Sequence, residues 1–379
     1  MLRVFGGVSG EELLAVSTEE LSDVKTLKSR LRELHGFPLC LQMLVNDGEV
    51  LEDSLQLEGP LDLQLLLTAG LTGEKLTEAA AELRDFAAST GQVDAAQFLL
   101  NAGVRETATM SESLIRAAEF GHTAVALLLL DGANREAKHT ALVHACGDGH
   151  TETARRLLEA RSCDDSHPSE LLDALLATAR RGHLETMQLF LEDRVDVAEH
   201  YDAALFAAAS HGHGEVVQLL LSHGACKDTL DQRSSTGALT ALMSAAGQGH
   251  SSVVRVLLDV GADTSVQDRY GCTALLLASG ASKTVKLSNG QAVLVTYPGT
   301  TECVRLLLEA GADKDKGDQQ GRTALIEASL GNHAQIAQLL LEARADVHAQ
   351  DSFGRTALFC ASACGHMDIV HLLFKNSKP

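Results

Sequence analysis

One phrase returns along most of this 379-residue chain, and it limits the possible folds more than any other feature. It reads Thr140-Ala-Leu, three residues to Ala145, then Gly149-His150. It recurs as Thr240-Ala-Leu with Gly249-His250, and as Thr356-Ala-Leu with Gly365-His366; Thr323-Ala-Leu ends on Asn332-His333. Looser copies close on Gly121-His122, Gly182-His183 and Gly212-His213. Successive histidines from His122 to His250 are 28, 33, 30 and 37 residues apart, and His333 to His366 is again 33. An apolar run follows each pair, as in Val216-Val217 with Leu219 to Leu221, and then a Gly-Ala-Asp such as Gly261 to Asp263.

Each word has a mechanical reading. Thr caps a short inner helix. Alanines let neighbouring helices approach closely. The glycine ends the helix where a Cβ would strain the turn. The Val/Leu run has the stripe of a second, outer helix. Such a unit cannot bury its apolar face alone, so stacked neighbours must supply the core.

The phrase closely resembles the ankyrin repeat, with Ala in place of the usual proline. The resemblance covers about 73 to 375 and implies about nine units, starting near 74, 106, 137, 167, 200, 229, 268, 318 and 351. One unit is interrupted between Thr273-Ala-Leu and an outer helix near Thr301. There, alternating apolar residues flank Asn289-Gly290, which predicts a β-hairpin insertion over about 281–299. It reads either as a tolerated surface insertion or as a docking ribbon.

The first residues follow another pattern. Leu2-x-Val4 alternates before Gly6-Gly7; Val24, Leu27, Leu31 and Leu34 have helical spacing, ended by Gly36-Phe37-Pro38. Leu41-x-Met43-x-Val45 leads into an Asp47-Gly48 turn, and Leu61 to Leu67 alternates again. This order, with its Asp23-Val24-Lys25 and Gln42-Met43-Leu44-Val45 runs, resembles the ubiquitin-like β-grasp fold. The resemblance implies a recognition patch at Val8, Val45 and Leu66. It does not imply a conjugated modifier, since the chain continues through Thr68 to Leu71 and Glu49 stands at the chain-linking lysine position. The expected architecture is mostly α: a small α+β domain at 1–69, a linker at 70–73 and an ankyrin solenoid at 74–379.

Composition narrows the function. The net charge is −20, with 5 Lys/Arg against 12 Asp/Glu in residues 1–70, so nucleic-acid binding is not expected. No run reaches the ~18 apolar residues of a membrane span. Eight cysteines are scattered without a CxxC pair, which predicts reduced thiols and an intracellular, more cytoplasmic than nuclear, setting. No phosphate loop, HExxH or nucleophile elbow is found, so no enzyme, cofactor or metal is expected. Cys360, Cys364 and His366 are close in sequence but fall short of the ligand set zinc needs. The histidines of the Gly-His pairs read as turn anchors.

The resemblance implies that protein partners dock in a concave groove built from fingertips and inner helices. Its positions here are Phe120, Arg180, Arg181 and His211, with fingertip residues Arg269, Tyr270, Gln320, Arg322, Phe353 and Arg355. In so acidic a chain the five arginines would make a local positive strip suited to an acidic peptide. The expected function is a non-catalytic interaction adaptor, with a link to ubiquitin-pathway proteins through the first domain. A plain scaffold and a regulatory subunit of a separate enzyme are the alternatives.

Overall fold

The computed structural model describes residues 2–16, 23–57, 61–68, 71–160, 168–192, 200–231, 238–286 and 292–376. The chain divides into two compact units, Met1–Ser166 and His167–Pro379, and each is taken by itself.

The first unit opens with a five-stranded mixed sheet in the order β2-β1-β5-β3-β4. Its strands are β1 (Leu2–Gly6), β2 (Glu12–Val16), β3 (Gln42–Asn46), β4 (Glu49–Val50) and β5 (Leu61–Leu67). β1 and β5 run parallel, and the other pairs are antiparallel. Helix α1 (Val24–His35) starts where Asp23 accepts the Thr26 amide at 2.7 Å and stops at Gly36 in the left-handed region. Val24, Leu27 and Leu31, at helical spacing, pack with Leu2, Val4, Leu44, Leu63 and Leu65 of the sheet. The alternation of β1 and β5 thus buries one face, as the sequence predicts. Asp47 and Gly48 both have positive φ and close the β3–β4 turn.

Helix pairs follow in the same unit. A long first helix runs as α2 (Glu74–Glu82), a π-turn (Leu83–Ala87) and α3 (Ala88–Thr90), and is paired with α4 (Val93–Asn101). Then come α5 (Thr107–Glu119) with α6 (Thr123–Leu129), and α7 (Arg135–Gly147) with α8 (Thr151–Glu159). The sheet is fastened to the first pair. Glu82, almost wholly buried, accepts the amides of Leu39 and Cys40 at 2.6 and 3.1 Å, at the start of a 3-10 helix (Leu39–Leu41). Arg32 lies over the Phe86 ring at 4.5 Å, and Phe37 packs on Phe98. Burial beside Glu82 pushes the Cys40 thiol far above its ordinary pKa.

The second unit continues with α9 (Pro168–Arg181) and α10 (Leu184–Glu192), α11 (Tyr201–Ser210) and α12 (Gly214–Ser222), then α13 (Ala241–Gln248) and α14 (Ser251–Asp259). Next is α15 (Ala274–Ala278), followed by the inserted β6 (Ser282–Lys286) and β7 (Ala292–Thr296) before α16 (Thr301–Glu309). The strands pair antiparallel from Ser282↔Thr296 to Lys286↔Ala292; the Asn289-Gly290 turn lies outside the described residues. The last pairs are α17 (Ala324–Leu330) with α18 (Ala334–Glu342), and α19 (Ala357–Cys364) with α20 (Met367–Asn376). Inner helices α9, α11, α13, α15, α17 and α19 pack in sequence, and each also packs on its outer partner.

The recurring Gly-His is an inter-repeat lock. The Nε2–H of His122 donates to Ser89 O, that of His150 to Glu119 O, that of His213 to Arg180 O and that of His250 to Ser210 O, at 2.8–3.1 Å. Each ring lies on the glycine of the preceding repeat: a Cβ at Gly212, whose φ is +83°, would stand 2.7 Å from His250 Nδ1. Thr300 replaces the histidine in the interrupted repeat and lies on Gly249. The threonine reading holds only in part. Thr240, Thr273 and Thr356 accept the amides of Met243, Leu276 and Phe359, at 3.2–3.4 Å. Thr140 instead lies inside α7, which Asn134 caps, and donates to Glu136 O.

Candidate functional site

The fingertips are built by an Asp-x-x-Gly word. Asp268 Oδ1 accepts the amides of Tyr270 and Cys272, Asp318 Oδ1 those of Gln320 and Arg322, and Asp351 Oδ1 those of Phe353 and Arg355, all at 2.8–2.9 Å. Gly271, Gly321 and Gly354, each at positive φ, close the turns. Adjacent tips bond to each other: the Gln319 amide donates to Tyr270 O at 3.0 Å, and the Ser352 amide to Gln320 O at 2.8 Å. Tyr270, Gln320 and Phe353 therefore stand on one backbone-linked ribbon along the N-terminal ends of α15, α17 and α19. A second aspartate ladder runs beneath: Asp228 Oδ1 accepts the Asp263 amide and Asp315 Oδ1 the Asp346 amide.

Phe353 is 72% exposed, with the Arg355 guanidinium 4.9 Å from its ring centre. Tyr270 is half-buried under Arg269, whose guanidinium lies 5.1 Å from its ring. Gln320 is exposed. Two of the fingertip arginines are paired with carboxylates of this chain. Arg322 pairs with Asp318 at 2.7 Å and with the buried Glu327 at 2.8 Å. Arg355 pairs with Asp351 at 2.7 Å. Burial alone would raise the Asp351 pKa, but Arg355 and the two backbone amides outweigh it and hold the carboxyl below its ordinary value. These two guanidinium groups neutralise carboxylates of their own fingers and, for Arg322, of helix α17 as well, so the positive strip counted from sequence is shorter in the fold. Glu327, a charged group within the apolar Leu325-Ile326 word, was the sequence signal for this pairing.

Arg180 and Arg181 are exposed at the C-terminal end of α9, and His211 is exposed at that of α11. Because α9 packs on α11, these three side chains form a second cluster, at the opposite end of the inner helices from the fingertips. The lock positions it: His213 holds Arg180 O, and the His211 ring stacks parallel to His213 at 6.5 Å. The His211 Nδ1–H donates to Ala207 O. Phe120, in the other unit, ends α5, is 47% exposed and stacks on His122.

In the sheet, Leu66 lies opposite Met43 and Val45 opposite Gln64, so all four share the face turned away from α1. Val45 is buried, Leu66 is half-buried, and Val8 is fully exposed at the β1–β2 turn. The neighbouring Gly7 lies against the Leu66 side chain and donates to Leu65 O at 2.9 Å, which places the Val8 turn beside Leu66.

Cys360 is buried and Cys364 exposed. Among the described residues no cluster of three His, Cys, Asp or Glu is arranged to hold a metal, and no helix is long and apolar enough to cross a membrane.

The family profile described as "Ankyrin repeats (3 copies)" matches residues 85–167, 114–198, 162–231, 229–293 and 290–379. The chain is an ankyrin-repeat protein. No curated protein matches it. Ankyrin repeats are generally protein–protein interaction modules, and ankyrin-repeat proteins are typically non-catalytic. In ankyrin terms, the Asp-x-x-Gly ribbon is the fingers, and α9, α11, α13, α15, α17 and α19 are the inner helices.

Proposed function

We propose that this ankyrin-repeat protein is a non-catalytic adaptor that holds a protein partner on the fingers and inner helices of residues 167–379. The observation that carries this reading is the exposed finger ribbon. Arg269, Tyr270, Gln320 and Phe353 are presented on a backbone hydrogen-bonded to its neighbours, so little ordering remains to be done on binding. Arginine and aromatic side chains are also the residues enriched at binding hot spots. Arg180 and Arg181, beside His211, add positive charge to the surface of a chain of net charge −20, which favours an acidic partner segment. Partners captured from cell extract by the full chain are expected to bind the Arg180→Glu/Arg181→Glu and Phe353→Ala variants at least about tenfold more weakly. A captured set indifferent to both variants would remove this surface from the function.

The finer part of the proposal concerns the first domain. A five-stranded sheet with one helix packed on it is compatible with the ubiquitin-like resemblance. We read it as a built-in ubiquitin-like domain presenting Val8 and Leu66 to ubiquitin-pathway proteins. Val8→Glu is the test, because Val8 is exposed and its replacement leaves the core intact. Loss of ubiquitin-pathway proteins from the captured set supports the link. An unchanged set leaves the domain as a cover for the first repeat, the scaffold reading that the Glu82 clasp favours. The expected setting is intracellular, on the scattered cysteines of the sequence, and cytoplasmic in preference to nuclear.

A further inference from the structure

The β6–β7 ribbon belongs neither to the fingers nor to the Arg180 cluster, yet it is firmly rooted. The Tyr297 amide donates to Ala281 O at 3.2 Å, and the Thr300 amide to Ala278 O at 2.8 Å. Tyr297 is 6% exposed and lies against Gly247 of α13, where an added Cβ would stand 2.6 Å from its ring. Glycine inside a helix is costly; here it keeps the place that the root of the ribbon fills. The root sits at the C-terminal ends of α13 and α15, the same end of the inner helices as Arg180, Arg181 and His211. Beyond the root, the backbone alternates. Ala281 and Tyr297 form a hydrogen-bonded pair, and such pairs alternate with unbonded ones along an antiparallel ladder. Lys283↔Val295 and Val285↔Val293 therefore bond across the ribbon, whereas the amides and carbonyls of Ser282, Thr284 and Lys286 turn outward from β6. Among the described residues no third strand pairs with that edge. β6 contains Lys283 and Lys286, and neither strand contains a carboxylate, in a chain of net charge −20.

We propose that the outer edge of β6 binds an extended, acidic segment of a partner protein as a third strand. The proposal rests on the adaptor reading and adds to it the form of the segment that is held. Backbone hydrogen bonds to Ser282, Thr284 and Lys286 supply the affinity, and carboxylates placed beside Lys283 and Lys286 supply the selection. Lysines on an edge strand oppose pairing with a second copy of the same edge, so the chemistry favours an acidic strand over self-association. Arg180 and Arg181, at the same end of the inner helices, extend the preference for negative charge.

The test selects binders of the full chain from a random library of displayed peptides about ten residues long, enough to cover a strand of this length. The expected binders are acidic and poor in proline, and the best of them is then measured by fluorescence anisotropy. Lys283→Glu/Lys286→Glu should weaken it at least about tenfold. Thr284→Pro, which removes an outward amide and no bond of the ladder, should do the same, whereas Leu294→Pro, its counterpart on the outer edge of β7, should not. Methylating alternate amides of the peptide should abolish binding to the unaltered chain in one of the two frames, a readout that needs no variant to fold. Hydrogen exchange at the Thr284 amide should slow in the complex. A library that yields no acidic binder overturns the proposal. So does a binder indifferent to Thr284→Pro and to methylation, or a dimer of the chain that Thr284→Pro dissolves. A binder that responds instead to Phe353→Ala or to Arg180→Glu/Arg181→Glu removes the ribbon and leaves the adaptor reading standing.

Discussion

At the scale of the residue, Gly-His works because two constraints meet at one glycine. Positive φ makes any other L-residue costly there, and the next repeat's imidazole occupies the space a Cβ would fill. The structure separates these two effects. Gly212 has both, whereas Gly261, with φ of +73°, has nothing within 4 Å of a built Cβ. Gly261→Ala should therefore cost about 1 kcal/mol from the backbone alone. Gly212→Ala should cost about 2–4 kcal/mol, adding the overpacking of His250. Urea midpoints of the two variants check this, and equal losses would remove the lock from the account. His333 is the departure from the pattern, with its ring pressed against Gly280, Gly299 and Gly331. Burial lowers its pKa below the ordinary histidine value. Above about pH 6.5 both folded and unfolded chains hold the ring neutral. Below that, the unfolded chain takes up the proton first, so stability should fall with falling pH and level off once the folded ring is protonated too. His333→Gln should flatten that part of the curve in urea titrations run from about pH 7.5 down to about pH 5. A wild-type slope retained in the variant would assign the effect to another group.

At the scale of the element, the sequence was readable wherever a local cause decides the backbone. Gly36 stops α1, Asp47-Gly48 turns β3 into β4, and three of the Thr-Ala-Leu words cap their helices through the threonine hydroxyl. It misled where the same word sits in a different frame. Thr140 lies mid-helix because Asn134 offers an earlier cap and no Asp-x-x-Gly finger interrupts the approach. The site was half legible for a related reason. The ankyrin resemblance placed Phe353 and Arg180 on exposed ground, but it carried no sign that Arg355 answers Asp351 of its own finger, and only the charge of Glu327 inside an apolar helix hinted at a partner for Arg322. Those pairings depend on where Glu327 and Asp351 end up in three dimensions. The Glu82 clasp was equally hidden, since its partners Leu39 and Cys40 lie over forty residues away and accept no side-chain code. Its removal has a definite consequence. Glu82→Ala leaves two amides at the start of the 3-10 helix without their acceptor, at a cost of about 1–3 kcal/mol. Hydrogen exchange should quicken first at Leu39 to Leu41, ahead of the strands. Unaltered exchange there would mean that apolar contacts such as Phe37 on Phe98 hold the sheet by themselves.

At the scale of the whole molecule, few aromatics and many alanines suit helix pairs that pack closely on their neighbours. Stability in such a stack is a chain of neighbour-to-neighbour terms rather than one cooperative sum. Within residues 167–379 every inner helix packs on the next, from α9 to α19, and the His213 and His250 locks join consecutive pairs. Damage at one junction should therefore fade with distance along the stack. Gly212→Ala strikes the junction between α11 and α13. Native-state hydrogen exchange should show the greatest loss of protection in α11, α12 and α13. Protection in α17 to α20 should stay near wild type, because the intact junctions between them and the lesion carry no changed contact. Uniform loss of protection from α9 to α20 would instead mean that the whole segment opens as one unit. In that case the exposed fingers could not be loosened for a partner without unfolding the helices beneath them. Graded loss would allow the finger ribbon and the Arg180 cluster to adjust separately, which suits two contact surfaces at opposite ends of the same row of helices.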